Sequence, residues 1–270
     1  MAIEASLIVS SKNIMSKTLV YYHRAYRKIT GSSWLFFLEF ILTAIPLSLI
    51  ILLLYPEITA EISLFAYKLL SPYYSAESIF LSAKSFLIGD VSIVTMPGTY
   101  PAVLVCLINF IICMTMIFLL PKTKIGRNFA IISVFWAVIN LTSVLFFSIT
   151  PFEFPYSVED YSELYIKSQV SMWLFIPFIL GIAFLPLPAS FAPKIFIIIL
   201  TIIYSIIFGA LRYVVFLYIV SKYSVLYMAI LFFAFGPLID FVYIVGIYSS
   251  YTYYLAKKLK GDESIWKWLY

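Results

Sequence analysis

The sequence predicts an all-α, polytopic integral membrane protein: a helical bundle of about six transmembrane helices, with amphipathic surface helices in its first outer loop. Of its 270 residues, 63% are hydrophobic and only 11% are charged, and the mean hydropathy is +1.03. A soluble domain has about 25% charged residues, so this chain has too little polar surface to face water on all sides. Its apolar residues also fall in separate runs of membrane-spanning length, which indicates a lipid bilayer as the solvent.

Six windows are long enough to cross a hydrocarbon core of roughly 30 Å. They lie at 34–54, 101–120, 128–149, 170–187, 195–220 and 225–250. The fourth window is interrupted by Pro177, Gly181 and Pro186, which predicts a kinked span or a re-entrant segment. We count it as a span because six spans give the more consistent distribution of charged loops.

Lysine and arginine are concentrated on one side of this arrangement. The amino terminus, the two loops 121–127 and 188–194, and the carboxyl-terminal tail carry 13 of the 18 basic residues, whereas the opposite loops carry four. By the positive-inside rule we expect a basic cytoplasmic segment at 1–33, a membrane domain at 34–250 and a basic cytoplasmic tail at 251–270. The predicted location is the cell membrane, with both termini cytoplasmic.

The first outer loop, 55–100, is long for a connection between two spans. Its first half carries apolar residues at helical spacing, with charged residues off that stripe, and the run 77–88 continues with Ile79, Phe80 and Leu87. The pattern predicts two amphipathic helices on the outer membrane surface. They would serve as a structural cap over the bundle, or as a docking surface or lid over a central site.

Three charged residues fall inside predicted spans: Arg212, Asp240 and Glu39. Each costs about 2.5–3.5 kcal/mol at mid-membrane on insertion scales, so intramembrane charges are candidates for functional sites. We expect Glu39 to be an interfacial acid near Arg27 or Lys28.

Arg212 has two interpretations. It could clamp carbonyl groups released near Gly209 or Pro237, or line an aqueous path or bind an anionic group. An axial offset of roughly 10 Å separates it from Asp240 if both helices are straight. The kink expected at Gly236 and Pro237 leaves a direct ion pair open.

A weaker polar stripe links the second and third spans. Cys106, Asn109 and Cys113 share one helical face, and Asn140 and Ser143 lie on the next span. Small polar side chains commonly join transmembrane helices, so we interpret this stripe as helix packing.

Motifs for several enzyme classes are missing from the sequence. There is one histidine, His23, and HExxH, GxSxG and GxxxxGK[ST] do not occur, which argues against metalloproteases, serine hydrolases and P-loop ATPases. We therefore predict no catalytic residues, no metal and no cofactor.

One enzyme family is nevertheless similar over part of the chain. The stretches "MPGTYPAVLVCLINF" and "AVINLTSV" resemble the exosortases, membrane transpeptidases that use Cys, Arg and His. The resemblance matches Cys106 to the nucleophile and Asn140 to the asparagine preceding the arginine. Ser143 stands at the arginine position and no histidine follows, so the resemblance implies at most a degenerate exosortase-like protein.

In length, composition and span count the chain also resembles the polytopic membrane component of the archaeal Ced DNA-import system. That resemblance implies a non-enzymatic channel subunit working with small membrane subunits and a separate cytoplasmic ATPase of the HerA type, with DNA as cargo. Two alternatives remain open. One is a small-molecule carrier using Arg212 and Asp240, and the other is a structural subunit of a respiratory or secretion complex.

Overall fold

The structure is a computed structural model that describes residues 33–75, 77–122, 127–151, 153–187 and 189–258. The predicted basic segment 1–33, apart from its last residue, and the tail from residue 259 onward lie outside the described residues. The same holds for Arg27 and Lys28, the expected neighbours of Glu39.

The described chain folds into seven α-helices and one β-hairpin. The helices are α1 (Ser33–Leu70), α2 (Val103–Leu119), α3 (Arg127–Ile149), α4 (Val158–Phe184), α5 (Phe191–Lys222), α6 (Met228–Phe233) and α7 (Pro237–Lys258), and the strands are β1 (Phe80–Phe86) and β2 (Gly89–Thr95). Six stretches of the described chain are long and apolar enough to cross a membrane, and the sixth, Val225–Lys258, combines a 3-10 turn, α6 and α7. The predicted polytopic helical bundle is therefore confirmed.

The fourth span begins well before the predicted window 170–187. Ser157 and Asp160 form a capping box, in which the Ser157 hydroxyl accepts from the Asp160 amide and the Asp160 carboxylate accepts from the Ser157 amide. This cap satisfies amide groups that have no partner within the helix, so α4 starts at Val158. The helix continues through Pro177 to Phe184 as an uninterrupted span.

The first outer loop differs from the prediction. Residues 55–70 are helical, but as the continuation of α1, which runs for 38 residues through Pro46 and Pro56. At 1.5 Å per residue it is about 57 Å long, more than a bilayer core requires.

The second predicted surface helix, over the run 77–88, is wrong: this segment enters an antiparallel hairpin in which Phe86 pairs with Gly89. The β-branched residues Val91, Ile93 and Val94 are buried in β2, and such residues favour a strand packed against other elements.

Hydroxyl groups on α1 support the hairpin. The Tyr55 hydroxyl donates to the Phe86 carbonyl and accepts from the Gly89 amide at 2.7 Å. One and two turns further on, Thr59 Oγ1 accepts from the Ser92 amide at 3.3 Å, and Ser63 Oγ donates to the Ser92 carbonyl at 2.6 Å. These contacts satisfy main-chain groups that an edge strand would leave open.

The core lies where α1, α4, α5 and β2 pack on one another, and α7 packs on α4 and α5. Its largest fully buried side chains include Trp173, Tyr55, Tyr165 and Tyr213. The α2–α3 hairpin joins this group where α3 packs against α6 and the 3-10 turn Val225–Tyr227. Large apolar side chains on the outside of the helices are exposed, as expected of surfaces that face lipid.

Candidate functional site

Arg212 lies in α5, buried among three other elements. Its terminal nitrogens donate to the carboxylate of Asp240, to Gln169 Oε1 at 3.3 Å, and to the carbonyls of Phe235 at 2.7 Å and Gly236 at 3.0 Å. The two sequence-based alternatives, an ion pair with Asp240 and a clamp on carbonyls beside Pro237, therefore occur together. We call these five residues the arginine cluster.

The helix break between α6 and α7 brings Arg212 and Asp240 together. Pro237 has no amide hydrogen, and α6 ends at Phe233, so the span does not continue as one straight helix. A Cβ on Gly236 would lie 2.2 Å from the carbonyl oxygen of Phe232, which makes glycine necessary for this turn. The 10 Å offset calculated for straight helices consequently does not apply.

Asp240 is fully buried in the first turn of α7. Its carboxylate accepts from Arg212 and from Gln169 Nε2 at 3.0 Å. The positive end of the helix dipole also favours an anion at this position. Burial of the ion pair is therefore compensated by the opposite charge, by hydrogen bonds and by the helix terminus together.

Gln169 of α4 connects both charges, because its carbonyl oxygen accepts from Arg212 while its amide nitrogen donates to Asp240. It reaches them across Gly209, where a Cβ would lie 2.6 Å from Gln169 Oε1. Sequence reasoning missed Gln169 because it lies just outside the predicted window 170–187. The available signal in the sequence was an uncharged amide side chain at the edge of a predicted span.

Aromatic residues surround the arginine cluster. The guanidinium carbon of Arg212 lies 4.8 Å from the ring centre of Phe208, a cation–π distance. The Tyr165 hydroxyl donates to the Gly209 carbonyl at 2.9 Å, and Tyr243 donates to Ser205 Oγ at 2.6 Å. Arg212 Nε finds no acceptor among the described residues.

A second polar network connects the cluster to the hairpin. The hydroxyl of Tyr213, the residue after Arg212, hydrogen-bonds to the Ser162 hydroxyl and accepts from the Val94 amide at 2.9 Å. The Tyr213 ring stacks on Tyr165, with centroids 5.4 Å apart. Strand β2, α4 and α5 thus meet at Tyr213, one residue along the chain from the buried charge of Arg212.

Glu39 of α1 forms an ion pair with Lys194 at the start of α5, at an Nζ–Oε1 distance of 2.6 Å. The Lys194 side chain is buried and that of Glu39 is partly buried. Along α5, Lys194 and Arg212 are separated by about 27 Å of helix rise. The structure therefore does not bring Glu39 to the arginine cluster.

The polar stripe on α2 and α3 is also a separate cluster. Asn140 Nδ2 donates to Asn109 Oδ1 and to Cys113 Sγ, both at 3.4 Å. Asn109 also donates to the hydroxyl of Tyr227 at 3.1 Å, a partner that the sequence reasoning missed. Cys106 is buried nearby as a free thiol. Ser143 is half-buried and takes no part in these hydrogen bonds within the described chain.

Within the described residues, no group of three His, Cys, Asp or Glu side chains lies close enough to bind a metal ion.

Six spans around a buried arginine–aspartate pair define a polytopic helical membrane protein with an interrupted sixth span. No family model, curated protein or solved structure matches the chain.

Proposed function

We propose that this protein is a non-enzymatic subunit of a transport or translocation complex in the cell membrane, with both termini in the cytoplasm. The observation that supports this most directly is the interruption of the sixth span beside a buried ion pair. In secondary transporters, interrupted helices form the binding site and the charged residues beside it mark the substrate or ion pathway.

The energetics of the cluster favour a role beyond simple stabilisation. Replacing a buried ion pair by apolar residues of similar volume is often neutral or stabilising, whereas removal of one partner is strongly destabilising. An ion pair that adds little net stability but fixes the geometry of a helix break is suited to a segment that adopts two alternative conformations. Tyr213, the residue that follows Arg212, hydrogen-bonds to the Val94 amide of the hairpin.

In its finer form the proposal is a channel component for DNA import. Support comes from the resemblance in length, composition and span count, from the basic sequences at both ends, and from the lack of a P-loop motif in the sequence. A separate cytoplasmic ATPase and further membrane subunits would then be partners, and DNA the cargo.

A small-molecule carrier is the second candidate, and the position of Asp240 favours it. A fully buried carboxylate at the start of a half-helix is suited to proton or cation coupling. Solute flux that depends on pH in the native protein and loses that dependence in Asp240→Asn would favour the carrier. Flux with unchanged pH dependence in Asp240→Asn would exclude proton coupling through this residue.

The deciding experiment is a pull-down of the tagged native protein in mild detergent, with mass spectrometry of the bound proteins. We expect a cytoplasmic ATPase and small membrane subunits. Recovery of the protein alone, as a monomer or homo-oligomer, would contradict the complex-subunit proposal. Recovery of respiratory or secretion subunits would instead support a structural role.

The variant pair Arg212→Leu and Arg212→Leu/Asp240→Leu separates assembly from transfer. If the double variant assembles normally but transfers no DNA, the charges act in translocation. Normal transfer by the assembled double variant would show that the ion pair is dispensable for it.

A further inference from the structure

An open apolar groove runs between α5 and α7, on the half of these helices remote from the hairpin. Its volume is about 820 Å³, and its walls include Phe196 and Leu200 from α5 and Tyr243, Gly246 and Tyr254 from α7. The groove starts beside Pro193, at the end of the bundle where Lys194 pairs with Glu39.

The wall that α7 contributes ends in two basic residues. Groove residues on α7 recur at helical spacing from Tyr243 to Tyr254, and the next positions on that same face are Lys257 and Lys258. Both lysines are exposed, and neither forms an ion pair with another described residue. The face therefore changes from apolar to cationic at one end of the groove.

Two further features suit an elongated ligand that carries oxygen atoms. A Cβ on Gly246 would meet nothing within 4 Å, so this glycine leaves the groove open rather than accommodating a neighbouring helix of the chain. Glycine within a helix costs roughly 1 kcal/mol relative to alanine. The hydroxyl of Tyr251, another groove residue, is buried without a hydrogen-bond partner among the described residues.

We propose that this groove is a binding site for one anionic phospholipid, with a hydrocarbon chain along the groove and the phosphate at Lys257 and Lys258. A hydrocarbon chain bound in the groove replaces the less ordered contacts that the apolar groove walls would otherwise make. The two lysine ammonium groups select a negative headgroup over a zwitterionic one. Basic residues beside grooves between transmembrane helices bind anionic headgroups by the same physics.

The test measures lipids retained by the purified full-length protein, using native mass spectrometry after exchange into detergent. Phosphatidylglycerol and phosphatidylcholine with identical chains are the probes. We expect the native protein to prefer phosphatidylglycerol, and Lys257→Gln/Lys258→Gln to reduce that preference about tenfold. Lys222 is an exposed lysine at the other end of α5. Lys222→Gln is therefore the charge control, and we expect it to leave the preference unchanged.

Filling the groove tests the hydrocarbon part of the site. Gly246→Leu and, independently, Ser250→Leu place bulk at exposed groove positions, so we expect both to abolish retention of either lipid. Val242→Leu, exposed but outside the groove, is the volume control. Undiminished retention by both groove variants would overturn the proposal. An undiminished headgroup preference in the double lysine variant would also overturn it. So would a change of oligomeric mass in the groove variants without loss of lipid, because that result would assign the groove to a second copy of the protein.

Discussion

At the scale of single residues, Arg212 stabilises the interrupted span. It donates four hydrogen bonds from two nitrogens, to a carboxylate, an amide and two main-chain carbonyls. The Phe235 carbonyl has its donor in Arg212 where a continuous helix would supply a backbone amide. The same side chain thus neutralises a buried charge and satisfies a broken backbone.

The first prediction concerns this pair. Arg212→Leu leaves the Asp240 carboxylate buried without its partner, so we expect the free energy of unfolding to fall by about 3–5 kcal/mol. Arg212→Leu/Asp240→Leu should recover more than half of that loss, because no unpaired charge remains. Denaturant titration in detergent micelles measures both values.

Lys167→Leu provides the matched control for this prediction, since Lys167 and Glu163 form a partly exposed pair one turn apart. Such a pair contributes about 0–1 kcal/mol. A double variant no more stable than Arg212→Leu would show that loss of the hydrogen bonds to the Phe235 and Gly236 carbonyls, which both variants lack, outweighs the unpaired charge.

The second prediction compares three glycines. Gly236→Ala forces a Cβ against a main-chain oxygen, and Gly209→Ala forces one against Gln169. We expect each to lower the free energy of unfolding by about 1–3 kcal/mol. Gly246→Ala, with open space above it, should be neutral or stabilising by up to about 1 kcal/mol. Equal effects at all three positions would show that the Cβ contacts do not govern them.

At the scale of elements, the hairpin depends on α1 for its backbone hydrogen bonds. Tyr55, Thr59 and Ser63 recur one helical turn apart and face the hairpin with hydroxyl groups. A two-stranded hairpin by itself is marginally stable. The long extension of α1 past Pro56 supplies the surface on which this one packs.

The third prediction tests this dependence. Ser63→Ala and Thr59→Val each leave a main-chain group of β2 without its partner, so each should cost about 1–3 kcal/mol. Hydrogen exchange of the β2 amides should accelerate in both variants while the α7 amides stay protected. Thr142→Val removes an exposed hydroxyl bond within α3 and is the control. Unchanged exchange in β2 would show that other contacts hold the hairpin.

At the scale of the whole molecule, the hairpin and the lysines of α7 lie at opposite ends of the bundle. The orientation proposed from basic residues places the hairpin outside the cell and Lys257 in the cytoplasm. The native cysteines, Cys106 and Cys113, are buried, so an introduced surface cysteine can be labelled selectively.

The fourth prediction uses this selectivity. In intact cells, a membrane-impermeant maleimide should label Leu87→Cys and leave Lys257→Cys unlabelled until the membrane is permeabilised. Both side chains are exposed, so access depends on the side of the membrane. The opposite labelling pattern would reverse the topology.

The sequence predicted the long apolar helices well, because a helix in lipid satisfies its own backbone and its hydropathy is a sum over neighbouring residues. It failed where distant residues decide the local structure. The run 77–88 contains apolar spacing compatible with a helix, yet hydroxyl groups of α1 favour a hairpin. Gln169 lies just outside the predicted window 170–187, and its contact with Gly209 on another helix is visible only in the structure.

The sequence by itself determined that this is a polytopic helical membrane protein and that Arg212 and Asp240 are two of the three charged residues inside its predicted spans. Only the tertiary structure decided that they meet, because their contact requires the break at Gly236 and Pro237 and the amide of Gln169 from α4. Composition and hydropathy are additive along the chain, whereas a buried ion pair depends on where separate helices bend and pack.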